Sequence, residues 1–458
     1  MVNIKNIITK FFTQGHARTL KAKKNIIASL FIKGMSIVIG FLMVRITLDY
    51  LDKTNYGIWL TISSFLTWFT FFEVGLGSGL KNKLAESLAS KDYKLGKIYV
   101  STTYAILSII VLVVYSLFII INQFLDWSVI LNTDRSLSKE LNLLALIVFS
   151  FFFLRFVIKL IGVVLQADQR PAISNMFGPI GNLISLIVIY ILTKTTDSSL
   201  IYIGFTLSVV PVVVLIIASI YFYNSDYKKI APSIKFIQFK YAKDLLHLGV
   251  KFFLIQISAL VLFQTSNIII SQFFGPAEVT PYNIAYKYFS MVNMLFTIII
   301  TPFWAAFTEA WVKKDINWIK NQINKLIMIW GLLALLSIIM LIFSEQFFNV
   351  WIGEENMKTI SIPFILKLFL VIYFLSFTFG GVFNMFINGV SKIKLQGYIL
   401  LGGAFLFVPL VLLFIKVFHW GIESVVIASI IANIYSPLIA PIQYYKLINN
   451  KAVGIWNE

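Results

Sequence analysis

The chain has 458 residues, of which 59% are hydrophobic, 16% aromatic and 13% charged, with a mean hydropathy of +0.87. A water-soluble fold of this size carries about 25% charged residues, so most of this surface is expected to face hydrocarbon. The absence of cysteine excludes disulfides, zinc ribbons and thiolate catalysis. A net charge of +18 suits nucleic acid only if the cations lie on a water-exposed face, and their distribution assigns them elsewhere.

Residues 1–24 (MVNIKNIITKFFTQGHARTLKAKK) form a basic, partly amphipathic segment. It is expected to stay on the cytoplasmic side against anionic membrane lipids. The apolar run that follows is too long for a signal peptide and contains Lys33 and Arg45. About 20 apolar residues span a bilayer as a helix. Runs of that kind recur near 25–48, 57–80, 98–121, 142–166, 172–192 and 200–222. A second set lies near 245–270, 282–310, 326–344, 362–388, 398–417 and 422–445. Their continuity excludes the alternating pattern of a β-barrel. The expected fold is an all-α polytopic membrane protein of about twelve spans.

The expected organisation is a six-helix bundle over 25–222, a basic cytoplasmic linker over 223–244, a second six-helix bundle over 245–446 and a tail over 447–458. The halves echo each other: LFIKGMSIVIG opens one and LGVKFFLIQIS the other, each with an early lysine, Lys33 or Lys251. Parallel duplication of this kind builds central sites in transporters. With the N-terminus inside, 25 of the 38 Lys and Arg fall in inner segments, six in outer ones and seven within spans. Cytoplasmic loops retain positive charge, so both termini are expected in the cytoplasm, and the net charge is a topology signal with no nucleic-acid partner.

Motifs for chemistry are missing. No G-x-x-x-x-G-K-[ST] loop occurs, and Gly96-Lys97 runs directly into Ile98. His16, His247 and His419 are scattered, without H-E-x-x-H spacing, and no nucleophile elbow is present. Neither an enzyme, a metal nor an organic cofactor is expected.

The conspicuous residues are the seven cations inside spans: Lys33, Arg45, Arg155, Lys159, Lys251, Lys287 and Lys367. A Lys or Arg at the bilayer centre costs about 2.5–3.5 kcal/mol, so it faces a watery or protein-lined interior. Arg155 lies about 20 Å into its span at 1.5 Å per residue, and Lys159 shares its helix face. Their mutual repulsion points to water or a phosphate on that face; carbonyl neutralisation or snorkelling of Lys159 is the bland alternative. Lys33 and Lys251 sit near cytoplasmic ends, whereas Arg45, Lys287 and Lys367 lie toward outer ends, where snorkelling explains them nearly as well. Glu73 precedes a glycine run, EVGLGSGL, in which Gly75, Gly77 and Gly79 suit a hinge or close helix packing. Pro302 interrupts another span, and Glu309 follows it as a candidate coupling carboxylate.

The segment 25–97 resembles the opening of the polysaccharide-biosynthesis flippase family, the Wzx-like O-antigen and exopolysaccharide exporters. The residues that carry the likeness are Lys33-Gly34, Arg45 with Leu48 and Leu51, Tyr56-Gly57-Ile58-Trp59 and EVGLGSGLKNKLAE; NIIISQFFGPAEVTPYNIAYKYF (267–289) resembles the start of that family's second half. Glu73 stands where the family usually has Asp. The resemblance implies a MATE-like fold of two six-helix bundles around a central cavity. It also implies a bacterial inner-membrane flippase for undecaprenyl-diphosphate-linked oligosaccharide, coupled to a proton or sodium gradient. Polysaccharide polymerase and chain-length proteins are the implied partners. A cationic interior, reached separately from the residues, suits a diphosphate. The alternatives are a multidrug or metabolite antiporter of the same fold, whose cationic drugs call for acidic cavities, and a membrane-embedded glycosyltransferase or polymerase, which calls for a larger outer loop.

Overall fold

A computed structural model describes residues 17–70, 73–242, 265–301 and 303–458. The described residues are helical throughout, with short turns and no strand. In hydrocarbon each unpaired backbone N–H or C=O costs several kcal/mol, so a spanning segment satisfies its own backbone as a helix. In the N-terminal half these are α1 (Ala17–Tyr50), α2 (Lys53–Thr70), α3 (Glu73–Ala89), α4 (Tyr93–Asn122), α5 (Ser138–Ile158), α6 (Leu160–Ala167), α7 (Pro171–Thr195) and α8 (Leu200–Asn224). The C-terminal half has α9 (Ser266–Phe274), α10 (Pro276–Ile300), α11 (Phe303–Val312), α12 (Ile316–Ile342), α13 (Ser344–Ile352), α14 (Phe364–Gly389), α15 (Lys394–Lys416), α16 (Glu423–Ala432) and α17 (Ala440–Ile448).

Among the described residues nine helices are long and apolar enough to cross a bilayer, or ten when the pair Glu423–Ala432 and Tyr435–Ile448, bent by 40°, counts as one span. The expected span at 245–270 lies mostly outside the described residues. The sequence expected to span at 57–80 falls on α2 and α3, with residues 71–72 between them outside the described residues, and α3 runs on through the sequence read as the loop 81–97. The span expected at 142–166 falls within one membrane-length run, Arg135–Ala167, in which the single residue Lys159 separates α5 from α6.

The chain forms two compact units: Met1–Leu51, Phe69–Ser128 and Asp134–Phe253 make one, and Asp52–Trp68, Val129–Thr133 and Leu254–Glu458 the other. In the first, α1 packs along α7, α8 lies against α5 and α7, and α3 rests on α4 and α6. Its core joins Leu80, Leu84, Tyr99, Val100, Leu160, Ile161 and Val164. The 30-residue α4 has only 11% of its apolar window buried; Ile109, Leu112, Val113, Leu117 and Ile120 stand exposed on it, a surface solvated by lipid. In the second unit α14 is the hub, contacting α10, α11, α12, α16 and α17. Segments that precede it by two hundred residues are stitched into this unit: Lys53 bonds Glu278 at 2.9 Å, and the Thr280 hydroxyl donates to the Lys53 carbonyl at 2.7 Å. Near them the Asn132 amide donates to the carbonyls of Ser271 and Gln272 at 3.2 and 3.1 Å.

The turns repeat between the halves. Lys91 after α3 and Lys314 after α11 both take left-handed backbone, with φ 58° and 55°. The following amides close the helix ends alike, Asp92 N–H to the Ser87 carbonyl and Asp315 N–H to the Ala310 carbonyl, both at 2.9 Å. The same aspartates then cap the next helices, accepting from Leu95 N–H at 2.9 Å and Trp318 N–H at 3.0 Å. After α6 and α14, Gln169 and Ser391 are again left-handed at 57° and 59°. Arg170 N–H reaches the Leu165 carbonyl at 2.8 Å, and Lys392 N–H the Ile387 carbonyl at 3.1 Å.

Candidate functional site: a cationic cavity in the first unit

Arg155 and Lys159 stand where α5 gives way to α6. Arg155 occupies the last turn of α5, and Lys159 is its C-cap, with its N–H donated to the Arg155 carbonyl at 3.0 Å. The Lys159 ammonium also lies 4.9 Å from the Phe156 ring centroid.

Both side chains line one cavity of about 190 Å³ with Gly162 and Gln166 of α6, Ser174, Phe177 and Gly178 of α7 and Pro211 and Leu215 of α8. Gln166 Nε2 donates to Ser174 Oγ at 3.2 Å, which fixes the polar wall facing the cations. Gly162 permits that approach, since a Cβ there would stand 2.9 Å from Ser174 Oγ. An arginine, a lysine, an amide and a hydroxyl around one cavity make a site for an anion.

The other expected residues distribute as follows. Lys33 is exposed on α1. Arg45, also exposed on α1, has its Nε 4.0 Å from Asp49, one turn on. Lys287 is half-buried in α10. Lys367, expected toward the outer end of its span, is 2% exposed, and its ammonium donates to Glu345 at 3.1 Å, tying α14 to α13. Lys251 and Pro302 lie outside the described residues. Glu73 and Gly75 open α3, and Gly77 and Gly79 continue it, so the glycine run is helical. Glu309 is exposed on α11 and paired with Lys313.

Two features escaped sequence reasoning. In the second unit Tyr282, Tyr286, Tyr373 and Phe374 form a ring cluster, with Tyr282–Tyr286 centroids 5.8 Å apart and Tyr286–Phe374 5.2 Å apart. In the first unit Arg170 holds Asp168 at 3.0 Å and Asp226 at 2.5 Å, while the Tyr227 hydroxyl donates to Asp168 at 2.9 Å. The bond to Asp226 raises the Arg170 pKa; burial, then the bond to Asp168, raises that of Tyr227. A single signal existed for this network, the D-Q-R between two predicted spans.

Compared with known proteins, residues 22–311 match the model of the polysaccharide biosynthesis protein family. The chain belongs to that family. This polysaccharide biosynthesis protein is 24% identical over 373 residues to a protein of Yersinia pseudotuberculosis named for O-antigen export, the match covering 79% of this chain and 81% of the relative. It is also 24% identical over 363 residues to a Salmonella typhimurium protein named as an O-antigen transporter, covering 76% and 79%. Among solved structures, it is similar to a multidrug-resistance MATE transporter of the MOP superfamily in an inward-facing conformation. There the TM-score is 0.74 at 13% identity, over 93% of this chain and all of the other. An outward-facing MATE transporter of the superfamily gives a TM-score of 0.57 at 17% identity, over 96% of this chain and 98% of the other. The polysaccharide biosynthesis protein is thus an all-α multi-pass membrane protein with a MATE-like fold.

Proposed function

We propose that the chain is a flippase that carries undecaprenyl-diphosphate-linked oligosaccharide units from the cytoplasmic to the outer leaflet, for assembly of O-antigen, capsule or exopolysaccharide. The observation that carries this reading is the Arg155–Lys159 pair on a cavity walled by four apolar helices, in a chain whose relatives are named for O-antigen export. A diphosphate presents several anionic oxygens, and Arg and Lys both bind phosphate well. Lys33 and Lys251 would hold the same headgroup or acidic sugars, with Arg45 and Lys287 farther along the route. The chain works by alternating access driven by a proton or sodium gradient, with Glu73 and Glu309 as candidate coupling groups and the Gly75–Gly79 segment and Pro302 as candidate hinges. Both termini face the cytoplasm of the bacterial inner membrane, and polymerase and chain-length proteins take up the product. No chemical step on the glycan is assigned to the chain.

The test is transport by the purified protein in sealed vesicles. A fluorescent, diphosphate-linked oligosaccharide lipid should become accessible from the far leaflet in the presence of the protein. Phospholipid of the same chain length should not. A protein that moves cationic dyes but leaves this lipid in place would be an antiporter, and the flippase reading would fail.

A further inference from the structure

A second cavity, of about 720 Å³, opens beyond the first and is lined by Leu88, Tyr93, Arg170, Ser225, Lys228 and Lys229, among others. Its position follows from chain order alone. Tyr93 is the first residue of the span Tyr93–Asn122. Arg170 lies in the short connection between the spans Arg135–Ala167 and Pro171–Thr195, and Ser225–Lys229 directly follow the span Leu200–Asn224. Four spans thus end at this cavity, which sits where hydrocarbon gives way to lipid headgroups. The Lys/Arg distribution makes this the cytoplasmic side.

Its charges divide into two sets. The carboxylates of Asp168 and Asp226 also line the cavity and are engaged there by Arg170 and Tyr227. Lys228 and Lys229 are exposed; the Lys229 ammonium lies 4.8 Å from the Tyr93 ring centroid, which orients it along the cavity. One Arg and two Lys against two Asp leave a residual charge of about +1 at headgroup depth. Leu88 and Ile230 supply an apolar floor, as suits a ligand that is amphiphilic.

We propose that this cavity binds the phosphate-bearing headgroup of an anionic phospholipid, with Lys228 and Lys229 as the phosphate donors and Tyr93 beside them. The site is separate from the Arg155–Lys159 cavity and does not depend on the cargo assigned to it. A lysine near an anionic membrane surface contributes about 1 kcal/mol, so loss of two weakens binding about thirty-fold.

The experiment uses the full-length protein in neutral detergent and follows its thermal unfolding while short-chain phosphatidylglycerol, phosphatidylcholine or inorganic phosphate is added. Phosphatidylglycerol should raise the midpoint saturably, whereas the other two should not. The K228Q/K229Q double variant should need about thirty-fold more phosphatidylglycerol. K235Q/K240Q, whose lysines are exposed on the same segment but do not line the cavity, should behave as the parent. An equal response to phosphatidylcholine, saturation by phosphate alone, or an equal loss in K235Q/K240Q would each overturn the proposal. Should K228Q/K229Q not fold, mass spectrometry of lipids retained by the parent protein decides: phosphatidylglycerol above its membrane proportion supports the site, and its membrane proportion overturns it.

Discussion

Arg155, exposed, and Lys159, half-buried, illustrate how a cation within an apolar span reads in sequence and in structure. The i,i+4 spacing in an apolar run announced a shared face, and both residues line one cavity. Arg155→Gln and Lys159→Gln are expected to reach the membrane at parental levels and to lose most export, read as surface polymer. Arg155→Lys should retain part of it, since lysine keeps the charge but not the bidentate fork. Export at the parental level in Arg155→Gln would remove that residue from the site. Lys367 makes the opposite case. Its ammonium is buried and paired with an exposed carboxylate, so Lys367→Ala should destabilise the chain by about 2–4 kcal/mol through the lost pair and the cavity left behind. Lys367→Met, of similar volume, should unfold near the parental temperature and still export, whereas a residue needed on the route would lose export in both variants.

At the scale of elements, the turns at Lys91–Asp92 and Lys314–Asp315 share one geometry. Lys91, Lys314 and Ser391 adopt left-handed backbone that costs an ordinary residue about 1 kcal/mol or more. Replacing any one by glycine is expected to raise stability by about 0.5–1 kcal/mol in thermal unfolding without altering transport; a loss of stability would show that the side chain matters more than its φ. Close helix contacts behave conversely. A Cβ on Gly380 of α14 would stand 2.0 Å from the Ser436 carbonyl oxygen, so Gly380→Ala should cost about 3 kcal/mol or more and lower the folded yield. Most of the helices were legible in the sequence because apolar length is a strong signal. The single turn residue Lys159 was not, because composition changes little across it. The turn repeat was present as K-D in two places, but its meaning rests on a φ angle that residue types do not reveal. Lys367 was legible as a cation in a span, yet its partner Glu345 lies 22 residues away on another helix.

At the scale of the molecule, composition and charge distribution led to a multi-pass helical membrane protein, and family membership and the MATE-like fold agree. The candidate site was legible as a sign of charge and less so as a place. Its walls come from four helices whose approach depends on packing, including Gly162 against Ser174. The central claim is that this chain moves a lipid-linked glycan between leaflets. The measurement that bears on it most directly is the amount and sidedness of lipid-linked glycan in a strain lacking this gene and any other transporter of the kind. The account predicts that undecaprenyl-linked repeat units accumulate on the cytoplasmic leaflet while surface polymer disappears, with rescue by the parent gene and not by Arg155→Gln. Intact surface polymer with no accumulation of lipid-linked glycan would contradict it.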